Sequence, residues 1–242
     1  MGDQVRRVTC SPVLATAFPA GFLLSPVVEA EVFSNVLGSS ADFPAGAVSF
    51  ADELIDYSPG IIFDPILNEN VPLSPYLGAE NALGVPDVDL QSVIDCGATP
   101  GTDTCNFVSL GVGGSLTVKF TDNVLTGGGS PDADLWIFEA GPQEQTYVDI
   151  SADGVDWSSL GAWPSFALGI DIDAFGFGVQ DEFSYLRLRD DPLQGNTSGI
   201  TVGLDVDAIG AISTRVVPVP AAGWLLAAAL GALATRRRRL DR

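Results

Sequence analysis

The sequence predicts an all-β protein, an antiparallel β-sandwich or jelly roll flanked by an N-terminal signal segment and one C-terminal transmembrane helix. Gly, Pro, Asp and Asn recur every few residues, and the runs between them are short and rich in Val, Ile, Leu and Phe. No helical period of comparable length interrupts this rhythm, which argues against βαβ units. A length of 242 residues suits one sandwich core.

Four segments follow along the chain. They are a signal peptide at 1–30, an irregular part at 31–77 that supplies an edge strand and long loops, a β-sandwich domain at 78–214, and a tail at 216–242. Two arginines, an apolar stretch and the triplet Val28-Glu29-Ala30 predict the signal peptide. Because prolines interrupt the apolar stretch, a different cleavage point stays open.

The tail predicts a membrane span. Residues 216–234 form an apolar stretch long enough for one transmembrane helix. Four consecutive arginines follow at 236–239, and the positive-inside rule keeps such a block in the cytoplasm. The rest of the chain is therefore expected outside the inner membrane.

The string VPVPA, followed by GWLLAAALGALA and an arginine cluster, closely resembles the PEP-CTERM class of sorting signals in its VPxPA variant. The matching residues are Val217, Pro218, Val219, Pro220, Ala221, Arg236, Arg237, Arg238 and Arg239. The resemblance implies a Gram-negative bacterium and recognition by an exosortase-type transpeptidase in the inner membrane. It also implies removal of the tail and association with the cell surface or the extracellular polysaccharide matrix. A plain single-pass anchor is the alternative, with the same topology.

Charge and composition exclude several classes of function. The net charge is −20, and the basic residues gather at the two ends, so that residues 31–215 hold 28 Asp or Glu against four Lys or Arg. Such a surface repels nucleic acid and fits high solubility or divalent-cation binding. The chain has no histidine, which argues against a catalytic triad and against most zinc or copper sites.

The cysteines predict one disulfide. Of the three, Cys10 falls in the signal segment, which leaves Cys96 and Cys105 as a pair in the mature protein. An even cysteine count outside the cytoplasm favours a bridge between them, with a pair of free thiols as the alternative.

Alternating apolar and polar residues locate individual strands. Such runs lie at 115–120, 134–139, 146–151, 183–189 and 206–212. The first places Leu116, Val118 and Phe120 on one buried face, and the second has few polar breaks, as a central strand does. Asp153-Gly154 predicts a hairpin turn after the third.

A second resemblance covers about residues 78–212. The strings NFVSLGVGGSLTVKF, PDADLWIFEAG, YVDISADGVDWSSLG, FSYLRLRDD and LDVDAIGAI look like bacterial surface domains of the galactose-binding-like, discoidin-related sandwich superfamily. The resemblance implies the sandwich fold, but the ligands of such folds vary too widely to transfer.

Candidate site residues are acidic or aromatic. The acidic ones follow predicted strands in close pairs and comprise Asp132, Asp134, Asp190, Asp191, Asp205 and Asp207. Oxygen-rich loops suit Ca²⁺, with solvated carboxylates and Asx-turns as the alternative. Trp157 and Trp163 flank a loop after the hairpin, where they would stack on sugar rings or pack beneath that loop, whereas Trp136 is expected in the core.

These observations predict a non-catalytic, exported matrix protein that either binds polysaccharide and calcium or has a purely structural role. The alternative is a secreted carbohydrate-active enzyme of the glycoside hydrolase type that uses only Asp and Glu.

Overall fold

A computed structural model describes residues 29–36, 38–64, 69–72, 78–91, 105–141, 144–164, 168–193 and 202–217. The predicted signal segment up to residue 28, Cys96, and the sorting tail from Pro218 onward, with its predicted helix, lie outside these residues. Within the described residues, no helix is long and apolar enough to span a bilayer.

The described regular structure is mainly extended. Its strands are β1 (Glu31–Ser34), β2 (Ser40–Phe43), β3 (Glu53–Ser58), β4 (Ile61–Asp64), β5 (Glu69–Pro72), β6 (Val108–Ser109), β7 (Ser115–Lys119), β8 (Asn123–Leu125), β9 (Leu135–Glu139), β10 (Gln145–Ser151), β11 (Ser158–Pro164), β12 (Leu168–Ile170), β13 (Tyr185–Asp190), β14 (Asp205–Ala211) and β15 (Thr214–Val216). Three short 3-10 helices accompany them: η1 (Gly46–Ser49), η2 (Ala79–Ala82) and η3 (Asp173–Phe175).

Two antiparallel sheets form the body of the molecule. The five-stranded sheet has the order β11-β10-β13-β7-β3, and the four-stranded sheet has the order β12-β9-β14-β6. Two-stranded ribbons, β1-β2, β4-β5 and β8-β15, complete the described strands. The predicted all-β antiparallel architecture is therefore confirmed.

The core lies between the two sheets and follows the alternation of the sequence. Leu116 and Val118 of β7 and Leu186 and Leu188 of β13 are fully buried, and they pack against Ile137 of the opposite sheet. Because successive side chains of a strand point to opposite faces, the intervening residues of β7 and β13 lie on the outer face of the five-stranded sheet. Asp153-Gly154 forms the turn between β10 and β11, so the predicted hairpin is confirmed.

The outer face of the four-stranded sheet is apolar and covered. Phe138 of β9 packs against Phe43 of β2 and against Phe50, and Phe33 of β1 closes this aromatic cluster. Trp136, expected in the core, is half-buried at the edge of the same cluster. Residues 31–58 thus wrap the sandwich: the β1-β2 ribbon covers one sheet, and β3 forms the edge of the other.

Segments from distant parts of the described chain meet at β14. The Ala51 amide donates to the Ile209 carbonyl at 3.0 Å, and Phe50 forms an isolated bridge with Gly210. At the other end of β14, Leu110 donates to the Leu204 carbonyl. This strand, buried along its whole length, therefore organises the sheet around it.

Candidate metal and ligand sites

Three carboxylates meet where β9 begins and β12 ends. Leu135 of β9 pairs with Ile170 of β12, so Asp134, just before β9, lies beside Asp171 and Asp173, just after β12. One carboxylate oxygen from each of the three lies within 4.8 Å of the others. We call these residues the Asp134 cluster.

Backbone amides hold these carboxylates in place. Ile172 N–H donates to Asp134 Oδ2 at 2.9 Å, and Gly129 N–H donates to Asp173 Oδ2 at 2.8 Å. Burial raises the pKa of Asp134, and the nearby charges of Asp173 and Asp171 raise it further. None of the ion pairs among the described residues reaches this cluster, so a cation would relieve the repulsion. Oxygen-only donors of this kind suit Ca²⁺ or Mg²⁺.

The structure brings only one of the six predicted acidic residues into this cluster. Asp132, two residues before Asp134, is exposed and accepts from Ser130 Oγ at 3.0 Å. Asp191 accepts from Leu193 N–H at 2.9 Å. This is the hydrogen bond of an Asx-turn, which was the alternative to a calcium site for these residues. The sequence reasoning missed Asp171 and Asp173, although their spacing of two matched the pattern used for Asp132 and Asp134.

Asp207 is buried beneath a loop. Its side chain is 1% exposed, and its Oδ1 accepts from Asp87 N–H at 3.1 Å and Val88 N–H at 3.3 Å. Its Oδ2 finds no hydrogen-bond partner among the described residues. Burial raises the pKa of Asp207 to about 7, with a further contribution from the Asp87 carboxylate. The protonated form of Asp207 is therefore favoured well above the pH at which an ordinary carboxyl ionises.

Asp190 and Asp205 belong to a buried polar network at the other end of the sandwich. Gly113 N–H donates to Asp190 Oδ2 at 3.1 Å, and Ser109 Oγ donates to Asp205 Oδ1. Burial, followed by the charges of Asp205 and Asp190, raises the pKa of Glu144 to about 8. Its burial and the neighbouring carboxyls therefore favour the protonated form of Glu144, which is the form that acts in general acid catalysis. Here all three carboxyls are buried, with no more than 9% exposure.

The two predicted aromatic site residues have different surroundings. Trp163 packs against the core, its indole Nε1 donates to the Leu160 carbonyl at 2.8 Å, and its ring lies 6.2 Å from that of Phe175. Trp157 lies on the outer side of the five-stranded sheet, where the Arg187 guanidinium sits 4.3 Å from its ring centroid. Both rings are half-buried, but only Trp157 lies against a cation of the outer sheet face.

Asp149 fixes two arginines on that same outer face. Arg187 Nε and Arg189 Nε donate to Asp149 Oδ2 at 3.1 and 2.9 Å. Burial alone would raise the pKa of Asp149, but the hydrogen bonds from Arg189 and Arg187 outweigh it and lower the pKa below its ordinary value. The carboxylate therefore stays ionised and holds both guanidinium groups in one orientation.

Cys105 is buried and disulfide-bonded. It packs with Val88, Phe107 and Ala140 in a small apolar cluster beside the main core. Its partner lies outside the described residues, so the pairing with Cys96 stays a prediction.

Fold and sites together define an all-β sandwich protein with a cluster of three carboxylates at one sheet edge and a polar, aromatic sheet face. No family model matches the sequence, and no curated protein matches it. The chain is similar to the C-terminal domain of a chitobiase from Bacteroides fragilis, at 19% identity and a TM-score of 0.28, over 43% of this chain and 65% of that one. It is also similar to a glycoside hydrolase, at 10% identity and a TM-score of 0.27, over 64% of this chain and 31% of that one. Scores this low carry no argument about function.

Proposed function

We propose that this chain is an exported, non-catalytic protein of the bacterial cell surface or exopolysaccharide matrix, with a sandwich that binds carbohydrate and calcium. The observation that carries the proposal is the disulfide at Cys105, because disulfides persist outside the cytoplasm. The proline pair, apolar stretch and arginine block after residue 216 supply the matching means of export and sorting.

In this proposal the sorting tail begins directly after the described sandwich. The last described contact is the Val217 amide, which donates to the Asp122 carbonyl at 2.7 Å beside the β8-β15 ribbon. An exosortase-type transpeptidase would cut in this tail, near Pro218 and Pro220, and leave the sandwich outside the cell.

Deleting residues 218–242 is expected to move the protein from the membrane and surface fractions into the culture medium. The physical reason is that the apolar span and its arginine stop are lost, while the fold is kept. Immunoblots of fractionated cells, with the melting temperature as a check of folding, measure the effect.

A second variant, with Pro218 and Pro220 both replaced by alanine, separates sorting from plain anchoring. It keeps the apolar span, so it should stay membrane-bound at full length while the natural chain is trimmed. If the natural chain and the variant have equal sizes, the tail is a plain membrane anchor. If the natural chain is found untrimmed, soluble and reduced inside the cell, export itself is contradicted.

Calcium is assigned to the Asp134 cluster in this proposal. Three carboxylates held by backbone amides supply part of the six to eight oxygens that Ca²⁺ takes, and backbone carbonyls or water would supply the rest. The ion would tie the start of β9 to the end of β12 and stabilise the edge of the four-stranded sheet.

Calcium at about 100 times its Kd is expected to raise the free energy of unfolding by about 2.7 kcal/mol, and a chelator should reverse the gain. For a domain of this size the melting temperature would rise by about 5–10 °C. Asp171→Asn and Asp173→Asn should abolish the shift, whereas the exposed neighbour Asp132→Asn should retain it. An identical melting curve with calcium and with chelator would remove the ion from this proposal.

The second candidate is a secreted carbohydrate-active enzyme, and the observation that favours it is the raised pKa of Glu144 beside Asp190 and Asp205. Its general acid would have to become accessible, because the described structure buries all three groups. A hydrolysis screen of polysaccharides with the natural chain and a Glu144→Gln variant decides between the two candidates.

A further inference from the structure

The outer face of the five-stranded sheet carries ordered rows of polar and aromatic side chains. The register of β10, β13 and β7 aligns them in three rows that run across the strands: Tyr147–Arg189–Ser115, Asp149–Arg187–Thr117 and Ser151–Tyr185–Lys119. The central strand β13 thus places two guanidinium groups in the middle of the face.

Each cation of this face lies against an aromatic ring. The distances from the charged group to the ring centroid are 4.3 Å for Arg187 over Trp157, 5.5 Å for Arg189 over Tyr147 and 5.3 Å for Lys119 over Tyr185. Stacking of this kind keeps long side chains extended along the sheet and orients their N–H donors. Asp149 adds a fixed acceptor between the two arginines.

The charges of this face cancel. Three of the four basic residues in 31–215 lie here, and three carboxylates match them: Lys119, Arg187 and Arg189 against Glu53, Asp56 and Asp149. The stretch as a whole holds 28 acidic residues. The charged strand residues of this face therefore balance, whereas the acidic surface around them repels a polyanionic partner but not a neutral one.

The same face is partly exposed, in contrast to its counterpart. The β1-β2 ribbon and its phenylalanines cover the outer face of the four-stranded sheet. On the five-stranded sheet, the side chains of Arg189 and Arg187 stay 44% and 32% exposed, and Trp157 is half-buried. Guanidinium donors and parts of the aromatic rings are thus exposed together, above the buried carboxylate of Asp149.

We propose that this outer face binds a neutral, hydroxyl-rich polysaccharide chain that lies across the strands. The inference rests on the carbohydrate binding proposed above and assigns it to the sheet face instead of the loops. Five strands at ordinary spacing span about 19 Å, enough for several linked sugar rings. Sugar hydroxyls accept from the guanidinium groups, which the buried Asp149 holds in place, while the apolar faces of the sugar rings pack against the exposed parts of Trp157 and the tyrosines.

The test titrates the full chain, kept in mild detergent, with soluble β-glucan, galactan and galactomannan, and in parallel with alginate and polygalacturonate. The natural chain should bind at least one of the neutral polymers more tightly than either uronate polymer. Trp157→Ala and Arg189→Ala should each weaken that binding by about tenfold, the loss expected for one stacking or charge-assisted contact. Melting temperatures establish that both variants are folded.

Matched controls come from the rest of the surface. Phe175→Ala removes an exposed aromatic ring, and Arg215→Ala removes an exposed arginine that is paired with Glu182, and neither residue belongs to the three rows. Both should bind like the natural chain.

The possible outcomes separate this inference from the function on which it rests. Binding of a neutral polymer that Trp157→Ala and Arg189→Ala leave unchanged overturns the sheet face as the site but keeps carbohydrate binding. Preference for the uronate polymers overturns the neutral chemistry. Failure of the natural chain to bind any polysaccharide overturns both proposals.

Discussion

Asp207→Asn is expected to stabilise the protein at pH 8 by about 3–4 kcal/mol and to have little effect at pH 4. The folded-state pKa of Asp207 is raised from 3.8 to about 7, so the folded protein holds this proton more tightly than the unfolded chain does. The stabilising contribution of the group is complete below pH 4 and is lost as the pH rises through 7, which costs about 4 kcal/mol above that range.

Asparagine removes the charge and keeps the acceptor. Its Oδ1 can still accept from the amides of Asp87 and Val88, so the loop stays attached to β14. Urea denaturation at pH 4 and pH 8 measures the difference between the natural protein and the variant. Asp207→Ala should gain less free energy of unfolding at pH 8, because the amides of Asp87 and Val88 lose their partner. Asp42→Asn, at an exposed site of β2, should leave the free energy of unfolding unchanged at both pH values. Equal effects of Asp207→Asn at both pH values would contradict the raised pKa.

Gly114→Ala is expected to lower the free energy of unfolding by at least about 3 kcal/mol, or to prevent folding. A Cβ at this position would overlap the Leu110 carbonyl oxygen and lie 2.6 Å from the Gly60 amide nitrogen. Gly60 N–H donates to that same carbonyl at 2.7 Å, so the backbone itself is in the way and no side chain can yield. Urea denaturation, or the soluble yield if the variant does not fold, measures the effect.

Gly84→Ala is the matched control. Its φ of +79° also disfavours a side chain, but a Cβ there meets nothing within 4 Å. The cost should therefore be only about 1–2 kcal/mol, from backbone strain alone. A similar cost at both positions would mean that the close approach of Gly60 and Gly114 does not explain why position 114 requires glycine.

The strands were predictable from the sequence because burial on one face of a sheet imposes a period of two. Leu116 and Val118 of β7, and Leu186 and Leu188 of β13, follow that period and are fully buried. The hairpin at Asp153-Gly154 was equally predictable, since its signal is local. The covering of the four-stranded sheet by the β1-β2 ribbon was not, because nothing in the sequence near Phe33 or Phe43 indicates a partner so far along the chain.

The candidate sites depended on pairings that the sequence does not reveal. Asp134 meets Asp171 and Asp173 only because β9 pairs with β12, so a search for neighbouring carboxylates selected Asp132 in their place. Asp205 and Asp207, spaced by two, were expected on one side of a strand. A bulge between Val206 and Ala208 interrupts that alternation, and the two carboxylates contact different parts of the protein.

The junction of Phe50 and Ala51 with β14 has a consequence for how the molecule is made. β14 lies between β9 and β6 and also binds the segment that precedes β3, so the sandwich cannot close until nearly all of the described chain has been synthesised. Contacts of such high sequence separation give a high contact order and slow folding, on the millisecond-to-second scale or longer. A nascent chain of this kind therefore stays without its native core until its last strands have been synthesised.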